Sequence, residues 1–175
     1  MPTPERWLPA VLLLMALATD AQQLGQPLSP AELAALPRSV FPDGRGLPAG
    51  RGTVAEGLVI YEARCQSCHG ERGRGGSGGQ LIGEGALTGP DPDPAVNNYW
   101  PYATTLWDYT RRAMPMSTPG SLSVDETYAV TAYLLNLSGL LSAGGGLDEH
   151  SLPLIRMPNR EGFDWIDVRR PSPSP

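Results

Sequence analysis

Both cysteines of the chain and one of its two histidines lie within five residues, as Cys65, Cys68 and His69. Two thiols three positions apart on one helical turn can reach the two vinyl groups on one edge of a porphyrin and add to them as thioethers. The next residue then projects beneath the ring, so the Nε2 atom of His69 can bind the iron as its proximal ligand. The spacing therefore predicts one covalently attached haem c.

The same residue types also admit other chemistry. A C-x-x-C pair can form a disulfide or the redox dithiol of a thioredoxin-type enzyme, but no strand–helix–strand pattern surrounds this pair and a glycine-rich stretch follows it. A zinc site needs further ligands, and the other histidine, His150, is distant in sequence and has no cysteine beside it. Haem attachment is the favoured interpretation, with the dithiol or a plain disulfide as the alternative.

Three predicted helices must position this motif. The first begins at a capping box, in which Thr53 is the N-cap and Glu56 follows three residues later. Apolar side chains then recur at helical spacing, which predicts a helix over about 54–64 that ends beside Cys65. Residues 70–90 contain nine glycines and are predicted to form an irregular loop.

The other two helices lie after the glycine-rich stretch. Pro101 suits the first turn of an aromatic-rich helix, and Pro115 ends it. The last helix is expected to begin at a second capping box, formed by Ser123 and Glu126, and to end near Leu137. The pattern gives little support for β-strands, so the residues indicate an all-α protein.

The two ends of the chain differ from its centre. Residues 1–21 are predicted to be a secretory signal peptide, because an arginine precedes an apolar run that small residues follow. The run is shorter than the ~20 residues that cross a bilayer, so an uncleaved membrane anchor is the weaker alternative. We expect a periplasmic mature chain without a membrane span. The prolines and glycines of residues 22–52 indicate a linker or strap, and residues 142–175 are expected to form an irregular C-terminal extension.

The order of these features resembles the class I cytochrome c family over residues 53–141: a capped helix, C-x-x-C-H, a glycine-rich loop, an aromatic helix, Met-Pro and a capped last helix. The resemblance implies an all-α fold in which the N- and C-terminal helices cross over a covalently bound haem, with irregular extensions at both ends. Gly57 and Tyr61 match one side of that crossing, and Ala132 and Tyr133 match the other.

The resemblance also implies that a methionine is the sixth ligand of the iron. Family members carry it, usually followed by proline, on the loop before the last helix, where this chain has Met114. A thioether ligand favours ferrous iron and closes the iron to dioxygen. Met116, two residues later, and Met157, which also precedes a proline, are the alternative ligands.

Two further residues are expected beside the haem. Pro90 matches the family's proline whose carbonyl oxygen accepts a hydrogen bond from Nδ1 of the proximal histidine. Trp100 lies in the aromatic stretch, which we expect to line the haem pocket, and an indole N–H there can donate to a propionate. The predicted cofactor-binding residues are therefore Cys65, Cys68, His69, Met114, Pro90 and Trp100, with His69 and Met114 on the iron and no catalytic residue.

A narrower resemblance concerns the partner. Three stretches within about residues 97–163 are similar to the cytochrome c subunits paired with molybdenum sulfite dehydrogenases and with the sulfane dehydrogenase of the Sox system: NNYWPYATTLWDYTRRAMP, SLSVDETYAVTAYLLNLSGL and LPLIRMPNREGF. The resemblance implies a non-catalytic subunit that takes single electrons from a molybdenum subunit and passes them to another cytochrome c. The net charge of −5 argues against a nucleic-acid partner.

Two other roles are compatible with the sequence. A free-standing electron shuttle for another dehydrogenase or a terminal oxidase needs the same haem and the same two axial ligands. A haem enzyme or gas sensor needs an open sixth position on the iron, which a bound methionine would close.

Overall fold

The computed structural model of the protein describes residues 25–36 and 39–164. The predicted signal peptide lies outside these residues, as does the end of the C-terminal extension. The chain divides into two units, residues 1–37 and 38–175. In the first unit, the helix α1 (Pro30–Ala35) begins at a capping box formed by Ser29 and Glu32.

The second unit contains the predicted helix before the cysteine motif, α2 (Val54–Arg64). The Thr53 side chain accepts a hydrogen bond from the backbone N–H of Glu56, and the Glu56 carboxylate accepts one from the backbone of Thr53. These reciprocal bonds satisfy N–H groups that a helix start otherwise leaves unpaired. A short helix, α3 (Gln66–His69), follows after Cys65, and a 3₁₀ turn spans Glu71–Gly73.

The remaining helices follow the glycine-rich loop. They are α4 (Val96–Tyr99), α5 (Ala103–Ala113) and α6 (Val124–Leu137). α6 begins at the second predicted capping box, and α5 ends where Met114 leaves helical backbone angles. The three predicted helices are therefore observed in the predicted order, as α2, α5 and α6, although Pro101 lies before the N-cap of α5 and not in its first turn. The described part of the chain is mostly helical.

Two short strands were not expected from the sequence. β1 (Arg51–Thr53) pairs antiparallel with β2 (Gly146–Asp148), so that Gly52 lies opposite Leu147. Three residues are too few to show an alternating pattern, and the partners are far apart along the chain. The strap and the C-terminal extension are therefore joined to each other by backbone hydrogen bonds.

α2 and α6 cross at Gly57. A side-chain carbon at this position would overlap the backbone carbonyl of Ala129 and lie 2.8 Å from Cβ of Tyr133, so this close approach requires glycine. One turn later, the ring centroid of Tyr61 lies 5.2 Å from that of Tyr133. The predicted crossing is thus present, although Gly57 meets Ala129 rather than Ala132.

The extensions also contribute to the core. The ring centroids of Trp107 in α5 and Tyr128 in α6 lie 5.2 Å apart, and the hydroxyl of Tyr128 donates to the carbonyl of Pro48 over 2.9 Å. From the C-terminal side, Leu152 and Met157 are completely enclosed by the protein. Within residues 25–36 and 39–164, no helix has both the length and the apolar character needed to cross a membrane.

Candidate functional site

The C-x-x-C-H motif lies on a single turn that continues from α2. The backbone N–H of Cys65 donates to the carbonyl of Tyr61, and the N–H groups of Cys68 and His69 both donate to the carbonyl of Cys65, over 3.1 and 3.0 Å. Both thiols are free, with Cys65 half-buried and Cys68 exposed. The structure therefore brings the three motif residues together on one helical turn, as the spacing predicted.

The environment of Cys65 bears on the alternative chemistry of the pair. Burial raises the pKa of the Cys65 thiol to about 11, which keeps it protonated at neutral pH. A thiol–disulfide enzyme needs a cysteine with a lowered pKa, because the thiolate is the nucleophile. The half-buried position of Cys65 therefore disfavours the redox dithiol.

The imidazole of His69 is held by the glycine-rich loop. Its Nδ1 atom lies 2.7 Å from the carbonyl oxygen of Gly79. A carbonyl oxygen can only accept, so Nδ1 donates the hydrogen and Nε2 of the neutral ring keeps its lone pair for a metal. Sequence reasoning placed this acceptor at Pro90, but the structure places it at Gly79, and Pro90 is exposed. A role for Pro90 in cofactor binding stays a prediction.

Two glycines fit the loop closely around the motif. The backbone N–H of Gly78 donates to the carbonyl of Cys68 over 2.6 Å, and a side-chain carbon at Gly78 would lie 3.2 Å from the His69 ring. Gly70 follows His69 with a φ of 74°, in the left-handed region that favours glycine. Sequence reasoning missed Gly78 and Gly79, whose signal is the pair of glycines nine and ten residues after the histidine.

The three candidate methionines occupy different environments. Met114 is half-buried at the end of α5, where its N–H donates to the carbonyl of Thr110 over 3.1 Å. The Met116 side chain is 80% exposed, whereas Met157 is 1% exposed and lies in the apolar core. The loop after Met114 also lies beside the motif, because Arg64, which precedes Cys65, donates to Ser121 over 2.6 Å.

The aromatic helix supplies polar groups without protein partners. Oγ1 of Thr104 and Nε1 of Trp107 are buried and have no hydrogen-bond partner among the residues that the structure describes. Unpaired buried donors cost free energy, and both groups can donate to a carboxylate. The predicted Trp100 is half-buried, with its ring centroid 5.5 Å from that of Tyr109.

These features together fit a haem. Two free thiols lie on one helical turn, and an imidazole keeps Nε2 available for iron. Two buried donors have no partner within the described part of the chain. Each group matches a part of the cofactor that needs it: a thioether bond, an axial ligand and a propionate contact.

The comparisons with known proteins agree with this chemistry. The family model described as cytochrome c matches residues 54–138. Among solved structures, the chain is similar to a chain of the "Crystal Structure of the Sulfane Dehydrogenase SoxCD from Paracoccus pantotrophus", with 40% sequence identity and a TM-score of 0.76. That match covers 83% of this chain and 73% of the other. Comparison with curated proteins gives no significant match.

Proposed function

Because the chain belongs to the cytochrome c family and carries covalently bound haem c for electron transfer, we propose that it is the electron-accepting subunit of a periplasmic molybdenum sulfane or sulfite dehydrogenase. The similarity to SoxCD carries this proposal. It covers 83% of the chain, whereas the cytochrome c model matches residues 54–138 alone. The likeness therefore includes the flanking segments, which a cytochrome domain does not require for electron transfer.

The motif residues hold the cofactor in this proposal. Cys65 and Cys68 form the two thioether bonds, and Nε2 of His69 binds the iron. Gly79 keeps the ring in the required tautomer through its carbonyl oxygen. When bound, haem c supplies a one-electron ferric/ferrous couple.

We assign the sixth ligand to Met114. A sulfur that binds iron needs one open side facing the porphyrin and a backbone that holds it there. Met157 is enclosed by protein atoms, and Met116 extends into solvent. Met114 is half-buried, so its side chain is neither enclosed nor free in solvent, and the last turn of α5 holds its backbone.

The aromatic helix would supply donors to the haem propionates, and the exposed cysteine would hold the haem edge that partner proteins reach. Trp100 stays a predicted propionate donor, and the unpaired groups of Thr104 and Trp107 are two further candidates. Cys68 is exposed, so we propose that electrons enter and leave at the haem edge attached there. The protein itself makes and breaks no substrate bonds, and another cytochrome c accepts its electrons.

The proposal is tested by purifying the tagged chain from its native host after full cytochrome maturation. We expect a molybdenum-containing subunit to co-purify, and we expect the haem spectrum to become ferrous when sulfite or a protein-bound sulfane sulfur is added. A control preparation of the tagged chain without the molybdenum subunit should stay ferric with the same substrates. A monomer that is reduced by neither substrate in any preparation would instead support the free-standing shuttle.

A further inference from the structure

The loop between α5 and α6, residues 114–122, is built from two successive turns. We refer to it as the methionine loop. The N–H of Thr118 donates to the carbonyl of Pro115 over 2.9 Å, and the N–H of Ser121 donates to the carbonyl of Thr118 over 3.2 Å. Gly120 has a φ of 73°, which permits the second reversal. These bonds shape the loop but do not attach it to the rest of the protein.

Arg111 attaches the end of the loop to α5. Its Nη1 atom donates to the carbonyl of Gly120 over 3.0 Å and also to the carbonyl of Leu122. Leu122 is 1% exposed, so the acceptor belongs to a residue that is anchored in the core. Met114 lies between Arg111 and Gly120 in sequence. The hydrogen bonds from Arg111 therefore join the two ends of the backbone segment that contains the methionine.

Arg64 contacts the same part of the loop from α2. It is the last residue of α2 and directly precedes Cys65. Its Nη2 atom donates to the hydroxyl of Ser121 over 2.6 Å, and its Nη1 atom lies 3.9 Å from a carboxylate oxygen of Glu126. One guanidinium therefore connects the helix that carries the haem-attachment motif with the loop that follows Met114.

We propose that Arg64 and Arg111 are positioning residues that clamp the methionine loop and so keep the Met114 sulfur on the iron. The inference rests on the proposed assignment of Met114 as the sixth ligand. Two charged donors reach three successive residues, 120–122, and hydrogen bonds from charged groups are stronger than neutral ones. Without the two arginine contacts, the loop gains conformational freedom. Binding of the Met114 sulfur to iron then costs more entropy, because the loop must be ordered when the bond forms.

The clamp predicts how easily another ligand replaces the methionine. In Arg111→Gln and in Ser121→Ala, ferric protein should bind added imidazole about tenfold more tightly than wild type, the factor expected for a lost charged hydrogen bond. Ser121 is exposed, so its variant folds even if Arg111→Gln does not. Arg45→Gln is the matched control, because Arg45 pairs with Asp43 away from the loop.

The readouts separate the clamp from the ligand assignment. Imidazole titration, the near-infrared sulfur–iron band and carbon monoxide binding are measured on the holoprotein, with denaturant unfolding as a check on global stability. If wild type shows the band and both loop variants bind imidazole as wild type does, the clamp is wrong and the ligand assignment stands. If the band persists in Met114→Leu, the ligand assignment is wrong and the clamp loses its basis.

Discussion

The hydroxyl of Tyr61 donates a hydrogen bond to the carbonyl oxygen of Gly70, the residue after His69, over 2.9 Å. Tyr61 is 1% exposed, and its ring packs against Tyr133 where α2 crosses α6. Burial raises the pKa of Tyr61 from 10.0 to about 12, so the hydroxyl stays protonated and keeps donating in alkaline solution as well as at neutral pH. One side chain therefore links the helix crossing to the haem-attachment turn.

Removing this hydroxyl should weaken the link and leave the packing intact. We expect Tyr61→Phe to lower the free energy of unfolding by about 1 kcal/mol, the typical contribution of one hydrogen bond. Denaturant unfolding of the holoprotein measures this value. Tyr99→Phe, which removes a hydroxyl from an exposed ring, is the control. Equal stability of the two variants would show that the bond to Gly70 contributes nothing.

The crossing at Gly57 should tolerate no added carbon. In Gly57→Ala, the new Cβ would overlap the carbonyl of Ala129, and separating the helices should cost ~1–3 kcal/mol. This loss outweighs the gain in helix propensity that alanine brings. Thermal unfolding tests the prediction, with Ala55→Leu on the exposed side of α2 as the control for added bulk. A stabilised Gly57→Ala protein would mean that the helices can separate freely.

The glycine loop should control the orientation of the proximal histidine. Valine at Gly78 would press on the His69 ring, since its Cβ would lie 3.2 Å from Nδ1 and Cε1. We expect Gly78→Val to weaken the hydrogen bond to Gly79 and to lower the electron donation from Nε2 to iron, which raises the reduction potential. Potentiometric titration measures the shift. Gly144→Ala, where a Cβ contacts nothing within 4 Å, should leave the potential unchanged.

Only one methionine should affect the ferric near-infrared spectrum. We expect Met114→Leu to remove the sulfur–iron band, because leucine has no donor atom. Met116→Leu, at an exposed position, should keep the band. Met157→Leu should also keep it and should cost less than about 1.5 kcal/mol, as volume-conserving core substitutions do. Loss of the band in Met157→Leu alone would reassign the ligand.

The capping box of α6 should make stability depend on pH. The N–H of Ser123 donates to the Glu126 carboxylate over 2.7 Å, and this bond holds the pKa of Glu126 below its ordinary value of 4.5. A lowered pKa in the folded state stabilises the fold above the unfolded-state pKa, and that stabilisation is lost as the pH falls through the folded-state value.

The corresponding variant is Glu126→Ala. Its melting temperature should lie below that of wild type near neutral pH, and the difference should shrink as the pH falls below the ordinary glutamate pKa of 4.5. Thermal unfolding across this pH range provides the measurement. Glu62→Ala, which removes an exposed carboxylate outside any capping box, is the control. A difference that stays constant with pH would exclude a contribution from the Glu126 charge.

The features that the sequence alone determined are local ones. The capping boxes at Thr53 and Ser123 each depend on two residues three positions apart, and both are present in the structure. The motif of Cys65, Cys68 and His69 lies on one turn for the same reason. Interactions within a helical turn follow from spacing, because the helix places such residues side by side whatever surrounds them.

The tertiary structure decided the rest, since these relationships join residues that are distant along the chain. β1 pairs with β2, which lies near the other end of the domain in sequence. The carbonyl of Gly79, and not that of Pro90, contacts His69, and Arg64 contacts Ser121. The burial of Met157 likewise depends on how the C-terminal extension returns to the core. No short-range pattern encodes such contacts, because each depends on the path of the chain between its partners and on the packing that remains available when they meet.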